Sequence, residues 1–265
     1  MTTDLIKRVD RVEDASFRSL YTAGEPWGTG WHEQDGVTAV WAGQDDDPSF
    51  SCVLNLAASP DPERTLLSME QVVRAHGGLV LGVDTHPDLE NWATEKRLKR
   101  LGFERDCQEC IWVRELAGAI EQRTLSPGLT VERAQASQRE VFARVLNAGW
   151  NLPLEAARGY IFAATIGMGN WFHYLAYVDE SPAGVSVMFV HDCVADCFLS
   201  ATLPEYRGRG IQTALIERRL VDGLVVRCDL ATSQTVVTNA SPRNMARQGF
   251  TPLYRRWIYG KRLRV

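Results

Sequence analysis

The sequence predicts an α/β (α+β) chain made of two related halves, and three observations predict it. The apolar stretch 197–203 reads as a strand, runs through the turn Arg207-Gly-Arg-Gly210, and enters a helical pattern with apolar residues at 211, 214, 215 and 216. Strand-like segments face each other across turn signals in each half, at Asp45-Asp-Asp-Pro48 and at Asp179-Glu-Ser-Pro-Ala-Gly184. Both halves also close alike. Arg97-Leu-Lys-Arg-Leu-Gly-Phe103 precedes the strand-like 109–114, and Asn244-Met-Ala-Arg-Gln-Gly-Phe250 precedes the strand-like 255–259. In each case a helix stops at a glycine suited to a left-handed cap, and a Trp-bearing strand follows.

Taken in order, Gly36–Trp41 and Ser49–Ala57 alternate like paired strands, and 61–76 reads as a helix with Pro62 in its first turn. Leu79–Val83 reads as a short buried strand and Leu89–Leu101 as a helix. The run 116–128 shifts to small residues and then Ser126-Pro-Gly128, the composition of a linker. Beyond it, Leu129–Arg133 reads as a strand, and 138–148 and 154–166 read as helices. Trp171–Val178 and Val185–Val190 form a hairpin, and strand 197–203 feeds the glycine turn. The expected organisation is a domain at 1–115, a linker at 116–128 and a second domain at 129–265, related by a weak internal repeat.

Composition narrows the function. The chain has 265 residues, 45% apolar and 23% charged, an ordinary globular balance able to bury a sizeable core. A net charge of −4 argues against a general nucleic-acid binder or a protein drawn to anionic membranes. No apolar run is long enough to cross a bilayer, and the opening residues lack the apolar core of a secretory signal, so a cytoplasmic protein is expected. Cys107 and Cys110 have ligand spacing without a second pair nearby, and Cys193 and Cys197 flank an expected hairpin turn. Free thiols are the simpler reading, and no metal is expected.

The basic turn carries the chemistry. The first N–H groups of a helix have no intrahelical partner, and the helix dipole adds partial positive charge there. Glycine lets an anion approach the backbone, and arginine adds charge that does not titrate away. Strand, basic glycine turn and helix start together predict a phosphate site. No Lys-Ser/Thr pair follows, which excludes a P-loop, and the G-x-G-x-x-G spacing fails at Thr213.

The segment resembles the pyrophosphate loop of the GNAT acyltransferase superfamily, Q/R-x-x-G-x-G/A, with Arg207 first, Gly210 fourth and Gln212 where Gly or Ala is more usual. The resemblance runs over about 129–262 and includes Gly249-Phe250. It implies two GNAT-like domains, each a mixed, mostly antiparallel sheet flanked by helices. The N-terminal one is degenerate, because the matching loop, Ala57-Ala-Ser-Pro-Asp-Pro-Glu63, has no glycine and carries two acids.

The same resemblance implies an N-acetyltransferase that moves an acetyl group from acetyl-CoA to a primary amine of a small molecule or peptide. It implies coenzyme contacts from Ala201, Thr202 and Leu203, from Arg207, Gly208, Arg209, Gly210, Ile211, Gln212 and Thr213, and from Asn244. Such a reaction needs a neutral amine, a donor for the carbonyl oxygen and relief of charge on the departing thiolate. The backbone N–H of Thr202 is the expected carbonyl donor. The family's proton donor, a Tyr five positions before the Phe of Gly-Phe, is replaced by Met245, which leaves Tyr254, Tyr206 or solvent, with Tyr254 the choice here. Glu155, Asp192 and Asp196 are equal candidates for the base, and Trp150, Tyr160 and Trp171 either line the acceptor pocket or pack in the core. Met245 also motivates an alternative, a non-catalytic acyl-CoA binder.

Overall fold

The computed structural model describes residues 2–263 except 44, 90, 91, 119, 121, 122 and 240. Helix α1 (Thr2–Ala23) opens the chain, followed by β1 (Thr29–Gln34), β2 (Val37–Ala42) and β3 (Cys52–Leu54). Then come α2 (Pro62–Ala75), β4 (Val80–Asp84), α3 (Glu95–Arg100) and β5 (Glu104–Glu115). The second half contains β6 (Leu129–Arg133), α4 (Arg139–Gly149), α5 (Ala157–Ala164), β7 (Trp171–Val178), β8 (Ser181–His191) and β9 (Val194–Thr202). It ends with α6 (Ile211–Val225), β10 (Leu230–Val236), α7 (Ser241–Arg247) and β11 (Thr251–Arg262). The fold is mixed α/β, with mostly antiparallel sheet flanked by helices. Among the described residues no helix is long and apolar enough to cross a membrane.

The chain forms two compact units, and neither is a contiguous half. The first comprises Met1–Glu13, Trp112–Gln234 and Ala240–Leu253; the second comprises Asp14–Ile111, Thr235–Asn239 and Tyr254–Val265. The division expected at 116–128 therefore differs from the observed one. The reason lies in the closing strands. The end of β5 runs beside β10, where Thr232 donates to the Trp112 carbonyl at 3.0 Å and the Leu116 N–H to the Asp229 carbonyl at 2.8 Å. Strand β11 instead pairs antiparallel with β4, from Ile258 opposite Asp84 to Arg262 opposite Val80. The last residues of β5, from Trp112, belong to the first unit, and most of β11, from Tyr254, belongs to the second. Of the expected linker, residues 119, 121 and 122 lie outside the described residues, while Arg123 is anchored to Glu217, its N–H donating at 3.1 Å.

In the second unit the strand order is β1-β2-β3-β4-β11. Asp35 and Gly36, at φ 55° and 78°, make the two-residue turn that matches the twist of the β1–β2 hairpin. Val37, Leu66, Met69, Leu81 and Phe103 form its buried core. The expected helix 89–101 is shorter: Leu89 ends a separate 3-10 turn at Pro87–Leu89, residues 90 and 91 lie outside the described residues, and Thr94 caps α3 by accepting from the Arg97 N–H at 3.4 Å.

In the first unit the order is β10-β9-β8-β7-β6, with only β9 and β10 parallel. Asp179-Glu180 and Asp192-Cys193 are tight turns, all four residues having positive φ. Strand β8 thus begins at Ser181, earlier than the sequence suggests. Cys193 sits in a turn, and Cys197 is buried in β9 rather than flanking the bend. A Cβ on Gly159 would come within 2.4 Å of the Ala143 carbonyl oxygen, which is why α4 and α5 pack so closely. Buried Asn147 locks that contact by donating to the Leu154 and Ala156 carbonyls and accepting from the Gly159 N–H.

Candidate functional site

The site is built where β9 leaves β10. Parallel pairing holds Val194–Asp196 against Leu230–Thr232, and among the described residues it goes no further. On its other side β9 carries a bulge: Val187 of β8 opposes Leu199 and Phe189 opposes Asp196, so β9 has one extra residue between them. A bulge bends its strand and increases its twist, which opens the gap toward β10. Arg219 of α6, 1% exposed, supports the bulge by donating through Nη1 to the carbonyls of Val187 and Leu199, both at 3.3 Å.

The antiparallel register determines which backbone groups face the gap. Leu203 donates to the Ala183 carbonyl at 2.9 Å, and Thr202 stands opposite Gly184. Because antiparallel residues alternate between facing and turning from their partner, Ser200 and Thr202 direct N–H and C=O away from β8. The donor expected of Thr202 points to the opened side.

Beyond β9, a 3-10 turn at Pro204–Tyr206 leads into Arg207 and the two glycines. Gly208 and Gly210 have φ of 79° and 82°, the left-handed conformation that costs other residues about 1–2 kcal/mol. A Cβ on either would meet nothing within 4 Å, so the space above the loop is open. Gly210 is the N-cap of α6, no side chain caps that end, and the first turn has no acid. The first intrahelical bond runs from the Ala214 N–H to the Gly210 carbonyl at 3.0 Å. The N–H groups of Ile211, Gln212 and Thr213 therefore have no intrahelical acceptor, and they stand beside an open surface.

Glycines elsewhere set the walls. A Cβ on Gly149, the last residue of α4, would fall 2.8 Å from the Ala201 Cβ; one on Gly184 would fall 2.8 Å from Ile211. Adjacent strand residues point to opposite faces, so α4 approaches the end of β9 from one face and α6 from the other. Asn244 donates to Gln212, which itself donates to Ser241 at 3.4 Å, tying the first turn of α6 to α7. The Gln212 side chain is held sideways and leaves the loop open.

The two arginines separate. Arg209 is exposed and lies over the Tyr206 ring at 5.6 Å. Arg207, also exposed, folds back, donating to the Gly149 carbonyl at 3.1 Å and the Thr202 carbonyl at 3.4 Å. Tyr254 belongs to the second unit, where its ring stands edge-on to His86 with centroids 5.4 Å apart. The site residues from Ala201 to Thr213 and Asn244 thus come together in one unit.

Neither a family sequence model nor a curated protein matches the chain. Solved structures do match its fold. A GCN5-related N-acetyltransferase from Kribbella flavida superposes with a TM-score of 0.63 at 15% identity, covering 92% of this chain and 95% of its own. One from Sphaerobacter thermophilus gives a TM-score of 0.63 at 12% identity, over 86% of this chain and 81% of its own. A tandem GNAT protein from the clavulanic acid biosynthesis pathway gives 0.58 at 16% identity, over 87% and 81%. The chain has the GNAT fold.

Within the GNAT fold the two units differ at the matching helix. At the N-terminus of α2, Asp61 accepts from the Arg64 N–H at 3.2 Å, and Pro62 and Glu63 follow. That helix end already holds its own carboxylate, whereas the end of α6 holds none. Met245 is 3% exposed, a core side chain.

Cys107 and Cys110 lie on strand β5, where residues three apart point to opposite faces. Burial and the neighboring Glu109 push the Cys107 thiol up to about 12. Among the described residues no group of three or more His, Cys, Asp or Glu is arranged to hold a metal. Sequence reasoning missed Gly149, Gly184 and Arg219. Arg219 left a trace, since it stands on the 211–215–219 face of an otherwise apolar helix stripe.

Proposed function

We propose that the protein is an N-acyltransferase that moves an acetyl group from acetyl-CoA to a primary amine by direct attack. The uncapped N-terminus of α6, opened by two left-handed glycines beside the parted strands β9 and β10, carries this reading. Its free amides and Arg209 suit a diphosphate, and the gap suits an extended chain bearing a thioester at the Ser200 and Thr202 N–H groups. The acceptor is a small molecule or a peptide amine. Supporting the reading, two of the solved structures that share this fold are GCN5-related N-acetyltransferases.

Calorimetry with acetyl-CoA and CoA tests it. Wild type is expected to bind both, and Gly210→Glu, which places a carboxylate over the amides, to bind neither. An inert wild type, or a variant that binds equally well, refutes the proposal. The buried Met245 favors a second reading, a non-catalytic acyl-CoA binder. That one predicts CoA binding with no thiol released from acetyl-CoA across a panel of amines.

A further inference from the structure

Arg207 does not point its charge at the open loop. Its guanidinium caps the Thr202 carbonyl, at 3.4 Å, and the Gly149 carbonyl, at 3.1 Å. Two residues earlier on β9 the same thing happens: the Trp150 indole N–H donates to the Ser200 carbonyl at 3.2 Å. Ser200 and Thr202 are the two residues whose backbone faces away from β8 at the end of β9. A free strand edge alternates acceptors with donors. Here each carbonyl already accepts one side-chain hydrogen bond, and among the described residues the two N–H groups are left as donors.

We infer that Trp150 and Arg207 are positioning residues that convert this edge of β9 into a row of donors for a thioester carbonyl. The inference rests on the acyl-CoA reading above. A carbonyl with no donor of its own, beside the substrate oxygen, would repel it as negative charge develops. Covering it removes the repulsion, and the fixed charge of Arg207 adds to the field felt by the oxyanion. Gly149 serves the same arrangement, because only a residue without Cβ brings the α4 carbonyl and Trp150 so close to Ala201 and Thr202.

Infrared spectroscopy of carbonyl-labeled acetyl-CoA reads this polarization directly, and calorimetry with CoA reads anchoring separately. Binding to wild type is expected to lower the thioester stretching frequency. Trp150→Phe keeps an aromatic ring without the donor and is expected to lose roughly half of that shift while binding CoA within about threefold of wild type. Arg207→Leu is expected to lose a comparable part, and Arg207→Lys, which keeps one donor, to recover some of it. Either position decides alone if a variant of the other does not fold. An undiminished shift in the variants, or no shift in a wild type that binds CoA, overturns the inference. A wild type that does not bind CoA overturns the functional reading instead.

Discussion

The Phe250 N–H donates to the Met245 carbonyl at 3.1 Å, and the Phe103 N–H donates to the Leu98 carbonyl at 2.9 Å. The intervening glycines complete the match: Gly249 donates to Ala246 at 3.1 Å and Gly102 to Lys99 at 3.0 Å, at φ of 74° and 87°. These are two copies of one Schellman cap, each closed by a buried pair. Met245 is therefore the counterpart of Leu98 and fills core space. Met245→Leu is expected to cost under about 1.5 kcal/mol, and Met245→Tyr about 2–3 kcal/mol through overpacking and a buried hydroxyl. Urea unfolding measures both; a tyrosine variant as stable as wild type would show room for a side chain that the packing denies.

Those caps, the basic glycine turn and most strands were legible because each depends on local rules: a glycine at positive φ, a helix start, or alternation between turns. Other features were not. The long α1 helix escaped notice although Ile6, Val9, Val12, Phe17 and Leu20 recur every three to five residues and are all buried. Its charged residues masked the stripe. The Asp35-Gly36 hairpin had a strong turn signal, but β1 alternates weakly and is mostly exposed. The division of β5 and β11 between the units was invisible in principle, since either half's sheet edge satisfies the same Trp-bearing strand. The bulge in β9 and the course of Arg207 depend on partners distant in sequence.

Arg209 and Arg207 should respond differently to neutralization. Arg209 is exposed beside the free amides, so Arg209→Gln is expected to weaken CoA binding roughly tenfold at low salt, the worth of one charge-assisted hydrogen bond. The deficit should shrink as ionic strength rises. Calorimetry across a salt series measures it, and a loss independent of salt would assign Arg209 a packing role.

The carboxylate of Asp61 closes the helix end that corresponds to the α6 site. Asp61→Ala is expected to cost about 1 kcal/mol of stability through the lost cap. It should not create CoA binding in a Gly210→Glu background, because Ser59 and Pro60 stand where α6 has Gly208 and Arg209. Chemical unfolding and calorimetry on the double variant test the two parts. CoA binding restored there would mean that one carboxylate alone separates the units.

His173 makes stability depend on pH. Its ring is 2% exposed, and Nε2 lies 3.0 Å from the Phe162 carbonyl and 3.0 Å from the Thr165 hydroxyl. Burial holds its pKa near 3, against the ordinary 6.5. The unfolded chain then binds this proton more readily than the folded one, so stability present at neutral pH is lost as pH falls below about 6.5. Between pH 6.5 and pH 5 the loss amounts to about 1.6 kcal/mol. The neutral Nε2–H tautomer donates to Phe162, and among the described residues Nδ1 has no protein partner, so a second proton would be buried without one. Urea midpoints at pH 7.5 and pH 5, compared between wild type and His173→Gln, isolate the effect from the carboxylates. The variant should be less stable at pH 7.5 yet lose less on acidification; an equal acid loss in both would place the proton uptake on another group.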